Sequence, residues 1–191
     1  EFSGRVGAVG KDAQGLPEGD RVAVNPIQSR AGDDLSRSGN PHFDLATVLG
    51  VTTNGAFASL VRTRAEHAYK LPDSMTDEEG AFVEMLAASL NAVEKAEIEL
   101  GDLVVLYGPG PVGLSMLQLA KRSGGRTVMV GTRDYRLELA KELGADHVFN
   151  TRDSSSPYYT GDLVQSIRDV NEGALAERAI VGTAVEEATQ G

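Results

Sequence analysis

The rhythm of apolar and polar residues changes near residue 75. Up to about residue 70 the apolar residues come in short runs broken by Gly, Pro and Asp: Arg5-Val6-Gly7-Ala8-Val9, then Gly19-Asp20-Arg21-Val22-Ala23-Val24, and later Gly55-Ala56-Phe57-Ala58-Ser59-Leu60-Val61. Short runs closed by turn formers predict the strands of a small barrel or sandwich. Between them, residues 29–44 lack apolar periodicity and are rich in Ser, Gly, Asp and Arg, which predicts an exposed loop or lobe. From about residue 75 the spacing turns helical. Asp77, Glu78 and Glu79 suit a first helical turn, and Phe82, Leu86, Leu90 and Val93 recur at helical intervals over Gly80–Ala96. The two periods then alternate. Strands are expected at Leu103–Tyr107, Thr127–Val130, His147–Phe149 and Arg178–Val181. Helices are expected up to Ser123, over Tyr135–Leu143 and over Asp162–Val170, with Gly124-Gly125 and Gly144 as stops and a loop at 154–161. Such alternation predicts an α/β chain: a partial β-barrel over 1–75, followed over 76–191 by the first half of a doubly wound parallel sheet.

Composition narrows the chemistry. A net charge of −10 opposes binding to nucleic acid or to a membrane surface, both anionic. Cysteine is absent, so there is no disulfide, no thiolate nucleophile and no cysteine-built zinc cluster. No run approaches the roughly 18 apolar residues of a membrane helix, and no signal segment leads the chain, so a cytoplasmic protein is expected. The chain opens on Glu1 in a strand-like stretch and ends soon after the strand-like Ala179-Ile180-Val181-Gly182, and both ends are expected to be cut.

The strongest chemical signal is Gly108-Pro109-Gly110-Pro111-Val112-Gly113, a G-x-G-x-x-G sequence that follows an apolar strand and opens a helix. In that context the pattern holds a dinucleotide pyrophosphate. Gly108 permits the tight turn, Gly110 lets backbone approach the phosphates, and Gly113 lets the helix pack close to the strand. Pro111 suits the first helical position, and the first-turn amides of Val112 and its neighbours face the phosphates. The bland reading is a glycine-rich turn that binds nothing. The second strand should end in an acid where NAD is bound, to hold the adenosine ribose hydroxyls. Here Val130 is followed by Gly131, Thr132 and Arg133. A guanidinium pairs with a 2′-phosphate that a carboxylate would repel, so NADP(H) is favoured over NAD. The competing reading makes Asp134 the ribose ligand, although it also suits a helix cap.

In these residues the chain resembles the medium-chain dehydrogenase/reductase family, in its zinc-type alcohol and polyol (sorbitol, threonine) dehydrogenase branch. The tail Glu1-Phe2-Ser3-Gly4 of a Gly-His-Glu-x-x-Gly motif, Glu18 to Val24, Gly55 to Ala58, Lys70-Leu71-Pro72-Asp73, Gly108 to Gly113 and Glu142 to Asp146 match in order. The resemblance implies a GroES-like barrel, a Rossmann domain, and hydride transfer between a secondary alcohol and nicotinamide. It implies a small-molecule alcohol or ketone as substrate and a homo-oligomer at full length. It also implies a catalytic zinc in the full-length protein, with Glu1 and Glu84 in or beside its shell. Arg136 matches a cofactor-side arginine. Glu84 and Arg136 read equally well as ordinary helix-surface residues. The main catalytic residues would lie upstream of residue 1, which leaves this chain inactive by itself. Arg30, Asp33, Ser36 and Asp44 stand where the family's structural zinc has cysteines, so no structural zinc is expected. His42, His67 and His147 are expected to be exposed or structural rather than ligands. The alternatives are a zinc-free quinone or enoyl reductase of the same superfamily, and a non-catalytic dinucleotide-binding protein.

Overall fold

A computed structural model describes residues 1–13, 15–28 and 47–183. The polar lobe expected at 29–44, with His42 and the positions that replace the zinc cysteines, lies outside the described residues. The chain divides into two compact units, Glu1–Met85 and Leu86–Gly191.

In the first unit β1 (Ser3–Arg5), β2 (Arg21–Val24) and β3 (Ala68–Lys70) form an antiparallel sheet with β2 at its centre. Val22, Ala23 and Val24 of this central strand are all buried, so no polar face is left on it. Two sequence expectations need correction. The strand expected over Arg5–Val9 stops at Arg5, where Gly7 and Gly10 follow and give little side-chain surface to pack. Gly55–Val61 forms no strand: it pairs with none of the described strands, and Phe57 and Leu60 are exposed. Strand preference expresses packing against a neighbour, and an apolar run without one has nothing to express.

Helix α1 (Asp77–Lys95) begins in a capping box. The Glu79 amide donates to Thr76 Oγ1 at 3.1 Å, and the Thr76 amide to Glu79 Oε2 at 2.7 Å. The second unit continues with β4 (Leu103–Tyr107), α2 (Pro111–Arg122), β5 (Arg126–Gly131), α3 (Asp134–Glu142), β6 (His147–Asn150), α4 (Leu163–Val170) and β7 (Arg178–Val181). Its sheet is parallel, in the order β6-β5-β4-β7. Successive side chains leave opposite faces of a strand. Accordingly Val104, Leu106, Met129, Val148 and Ile180 pack with Leu117, Leu137 and Ala140 of α2 and α3. Leu103, Val105, Val128 and Val130 pack on the other face with Ile167 of α4. Both faces are covered, as a doubly wound parallel sheet requires. The chain steps outward from β4 to β6 and then returns to the other side of β4. In such sheets the crevice beyond the strand carboxyl ends at the reversal is where ligands bind. Among the described residues no helix is long and apolar enough to cross a membrane.

Candidate functional site

The crevice at the reversal is a cleft of about 610 Å³ at the carboxyl ends of β4, β5, β6 and β7, lined entirely by the second unit. One wall is the turn after β4. Gly108 has φ +92°, a left-handed backbone that glycine adopts without strain. Its amide donates to Val130 O at 2.9 Å, and the Gly110 amide donates to Gly108 O at 2.8 Å. A side chain on Gly113 is impossible, because its Cβ would fall 2.0 Å from Gly108 O. This is the close helix–strand contact that the third glycine was expected to permit. A Cβ on Gly110 would meet nothing within 4 Å, so this backbone faces open space. Gly110 is the N-cap of α2 and Pro111 opens the helix. Gly108, Pro109 and Gly110 line the cleft. Pro111, Val112 and Gly113 stand behind them as the first helical turn, in which Pro111 has no amide hydrogen and the Val112 and Gly113 amides have no partners within the helix. An open backbone wall ahead of a helix N-terminus fits a pyrophosphate.

The opposite corner is built from side chains. Thr132, Arg133, Arg136, Thr151 and Arg152 line it. Arg136 Nε donates to Tyr135 Oη at 2.9 Å, and the guanidinium lies 5.6 Å from the Tyr135 ring centroid. Hydrogen bonding from Arg133, and then from Arg136, holds the exposed Tyr135 phenol below its ordinary pKa. Both arginines line this corner of the cleft. Asp134, the alternative ribose ligand, is committed elsewhere. Its Oδ1 accepts from Asn150 Nδ2 at 2.7 Å and from Ser156 Oγ at 2.6 Å, and it does not line the cleft. Nor does it cap α3, whose N-cap is Arg133 without a side-chain bond. Asn150 is almost fully buried and also fixes the following loop, because its Oδ1 accepts from the Arg152 and Asp153 amides at 2.9 and 3.0 Å.

Sequence reasoning missed Arg152, Thr151 and Thr183, all lining the cleft. The signal was available. Thr151 and Arg152 directly follow β6, and Thr183 follows β7, at the strand ends where such sheets bind ligands.

The resemblance suggests Glu1 and Glu84 in or beside the shell of a catalytic zinc whose main ligands it places upstream of residue 1. Glu1 is exposed and Glu84 is half-buried on α1. Among the described residues no three His, Cys, Asp or Glu side chains are grouped so as to hold a metal ion. His67 is buried in the turn before β3, and His147 opens β6.

Comparison with known proteins gives consistent matches. An alcohol dehydrogenase GroES-like domain family matches residues 1–73, and a zinc-binding dehydrogenase family matches residues 111–190. The chain is 33% identical to a sorbitol dehydrogenase of Halalkalibacterium halodurans, over 100% of this chain and 55% of that protein. It is 35% identical to a D-arabitol-phosphate dehydrogenase of Enterococcus avium, over 91% of this chain and 49% of that protein. The chain thus spans about half the length of the curated relatives it matches. Among solved structures, an Escherichia coli alcohol dehydrogenase complexed with NADH superposes with a TM-score of 0.84 at 29% identity, over 100% of this chain and 56% of that one. Galactitol-1-phosphate dehydrogenase from Escherichia coli superposes with the same score at 26% identity, over 100% of this chain and 54% of that one. Two family matches in the expected order, on a half-barrel strand set and a parallel sheet opened by a glycine turn, lead to one assignment: the chain belongs to the zinc-binding alcohol and polyol dehydrogenase branch of the medium-chain dehydrogenase/reductase family.

Proposed function

We propose that this chain carries the coenzyme site of a dehydrogenase that transfers hydride between a secondary alcohol, of the polyol class, and the nicotinamide of NADP(H). The observation that supports the coenzyme choice is the cleft corner at the end of β5. Arg133, Arg136 and Arg152 line it, and the adjacent carboxylate of Asp134 is bound to Asn150 and Ser156. Guanidinium groups pair with a ribose 2′-phosphate through charge-assisted hydrogen bonds, and a nearby free carboxylate would oppose them.

When bound, the nicotinamide supplies the hydride acceptor or donor. The protein's part is positioning. The backbone of Gly108 to Gly110 and the first turn of α2 at Pro111, Val112 and Gly113 hold the pyrophosphate. Thr132, Arg133 and Arg136 hold the adenosine end. Residues 1–75 belong to the catalytic domain and 76–191 to the coenzyme domain. The substrate is a small alcohol or ketone, and the working protein is a cytoplasmic homo-oligomer.

The test is coenzyme reduction by the complete gene product that carries this chain, supplied with a series of polyols and other secondary alcohols. Growth of reduced-nicotinamide absorbance, faster with NADP⁺ than with NAD⁺, is expected. No reduction of either coenzyme by any alcohol contradicts the dehydrogenase reading.

A further inference from the structure

Gly131 ends β5, and its φ lies outside the left-handed region, so its backbone does not require glycine. Space does. A Cβ on Gly131 would stand 2.6 Å from Pro109 Cγ and 2.7 Å from Pro109 Cδ, with Leu137 Cδ2 at 3.2 Å. A long flexible side chain can swing aside from such a clash. A pyrrolidine ring closed on its own backbone cannot. Pro109 is itself buried, and it is held between Gly108, in its left-handed turn, and Gly110, whose amide bonds Gly108 O. Leu137 is fully buried. While Pro109 occupies the turn, residue 131 has room for no side chain.

Gly131 stands about 20 residues beyond the glycine turn, at the end of the second strand, where an NAD site carries its ribose-binding acid. Resting on the NADP(H) reading above, we propose that Pro109 packed on Gly131 is a specificity lock. A residue of the phosphate turn keeps the strand end bare, which leaves the corner to Arg133, Arg136 and Arg152 and to a ligand phosphorylated on its ribose. Selectivity is then a property of the pair: an acid at 131 is productive only when Pro109 is also replaced.

The experiment has two arms. Thermal unfolding is measured for the chain and for Pro109→Ala, Gly131→Ala and the double variant. Gly131→Ala should lower the midpoint by roughly 2–12 °C, the range expected of overpacking. The double variant should regain at least half of that loss. A Gly131→Ala protein as stable as its parent overturns the lock, as does a double variant with merely additive losses. Calorimetric titration with adenosine 2′,5′-bisphosphate and with 5′-AMP then reads the consequence. The parent should bind the bisphosphate about tenfold or more tightly than 5′-AMP, one charge-assisted contact being worth that much. Gly131→Asp alone should weaken both, and Pro109→Ala/Gly131→Asp should favour 5′-AMP. A full switch of preference by Gly131→Asp alone overturns the proposal. A parent with no preference overturns the NADP(H) reading instead, while the unfolding arm still decides whether the lock exists.

Discussion

The two walls of the cleft recognise by different means. The wall after β4 offers backbone, shaped by the positive φ of Gly108 and by a Gly113 that admits no side chain. The corner after β5 offers three arginines. Backbone amides hold any pyrophosphate, because every dinucleotide has one. Only side chains can tell one adenosine ribose from another. On the proposed reading, the first wall sets whether a nucleotide binds, and the second sets which one.

The largest effect should come from breaking the backbone wall. Gly113→Val places side-chain atoms against Gly108 O, and binding of NADPH and NADH should fall together below detection in a calorimetric titration. The melting midpoint should fall as well, since overpacking costs about 1–3 kcal/mol. Loss of one coenzyme alone would break the comparison. Next is Arg133→Ala. Removing a charge-assisted pair worth about 1.5–3 kcal/mol should weaken NADPH roughly tenfold to a hundredfold and leave NADH within about twofold. A smaller change is expected from Ser156→Ala, which removes one of the two bonds to Asp134 Oδ1. A partly released carboxylate should weaken NADPH a few-fold, with Asp134→Asn restoring it in the double variant. No effect on the NADPH-to-NADH ratio would show that Asp134 does not face the phosphate.

The smallest effect on binding is expected at the opposite end of the sheet, where Asp146 serves as a control. Partial burial pushes its carboxyl up, but hydrogen bonds from Lys121 Nζ, at 2.8 and 2.9 Å, and from the Thr127 amide, at 2.6 Å, outweigh this and hold it below its ordinary value. A carboxyl depressed in the fold stabilises above its unfolded pKa of about 3.9 and loses that contribution as pH falls through the lower folded value. Asp146→Asn should lower the melting midpoint at neutral pH, flatten its fall below about pH 4, and leave the coenzyme ratio unchanged.

Legibility followed burial. The second unit was readable because strands covered on both faces are continuous apolar runs such as Leu103 to Leu106, and because the glycine turn has a fixed place between strand and helix. The first unit has strands of three or four residues, too short for a period of two to show. Gly55–Val61 looks strand-like by composition, but strand formation depends on a neighbour that composition does not reveal. In the cleft, the glycines, Thr132 and Arg133 were legible from spacing along one strand–turn–helix unit, and Arg136 only from the family resemblance. Arg152 was not, since it enters from a different strand end. The binding of Asp134 by Asn150 and Ser156, and the fit of Pro109 over Gly131, are contacts across the fold that leave no mark on local pattern. Glu1 and Glu84 rest on the resemblance alone, and among the described residues they are not grouped with a third ligand.

The most direct test of the central claim is the ratio of NADPH and NADH dissociation constants, measured by titration at low and at high salt. NADPH should bind about tenfold or more tightly at low salt, with the advantage shrinking as salt screens the arginine corner. Equal affinities, or tighter NADH at both salt concentrations, would contradict the assignment of that corner to a 2′-phosphate.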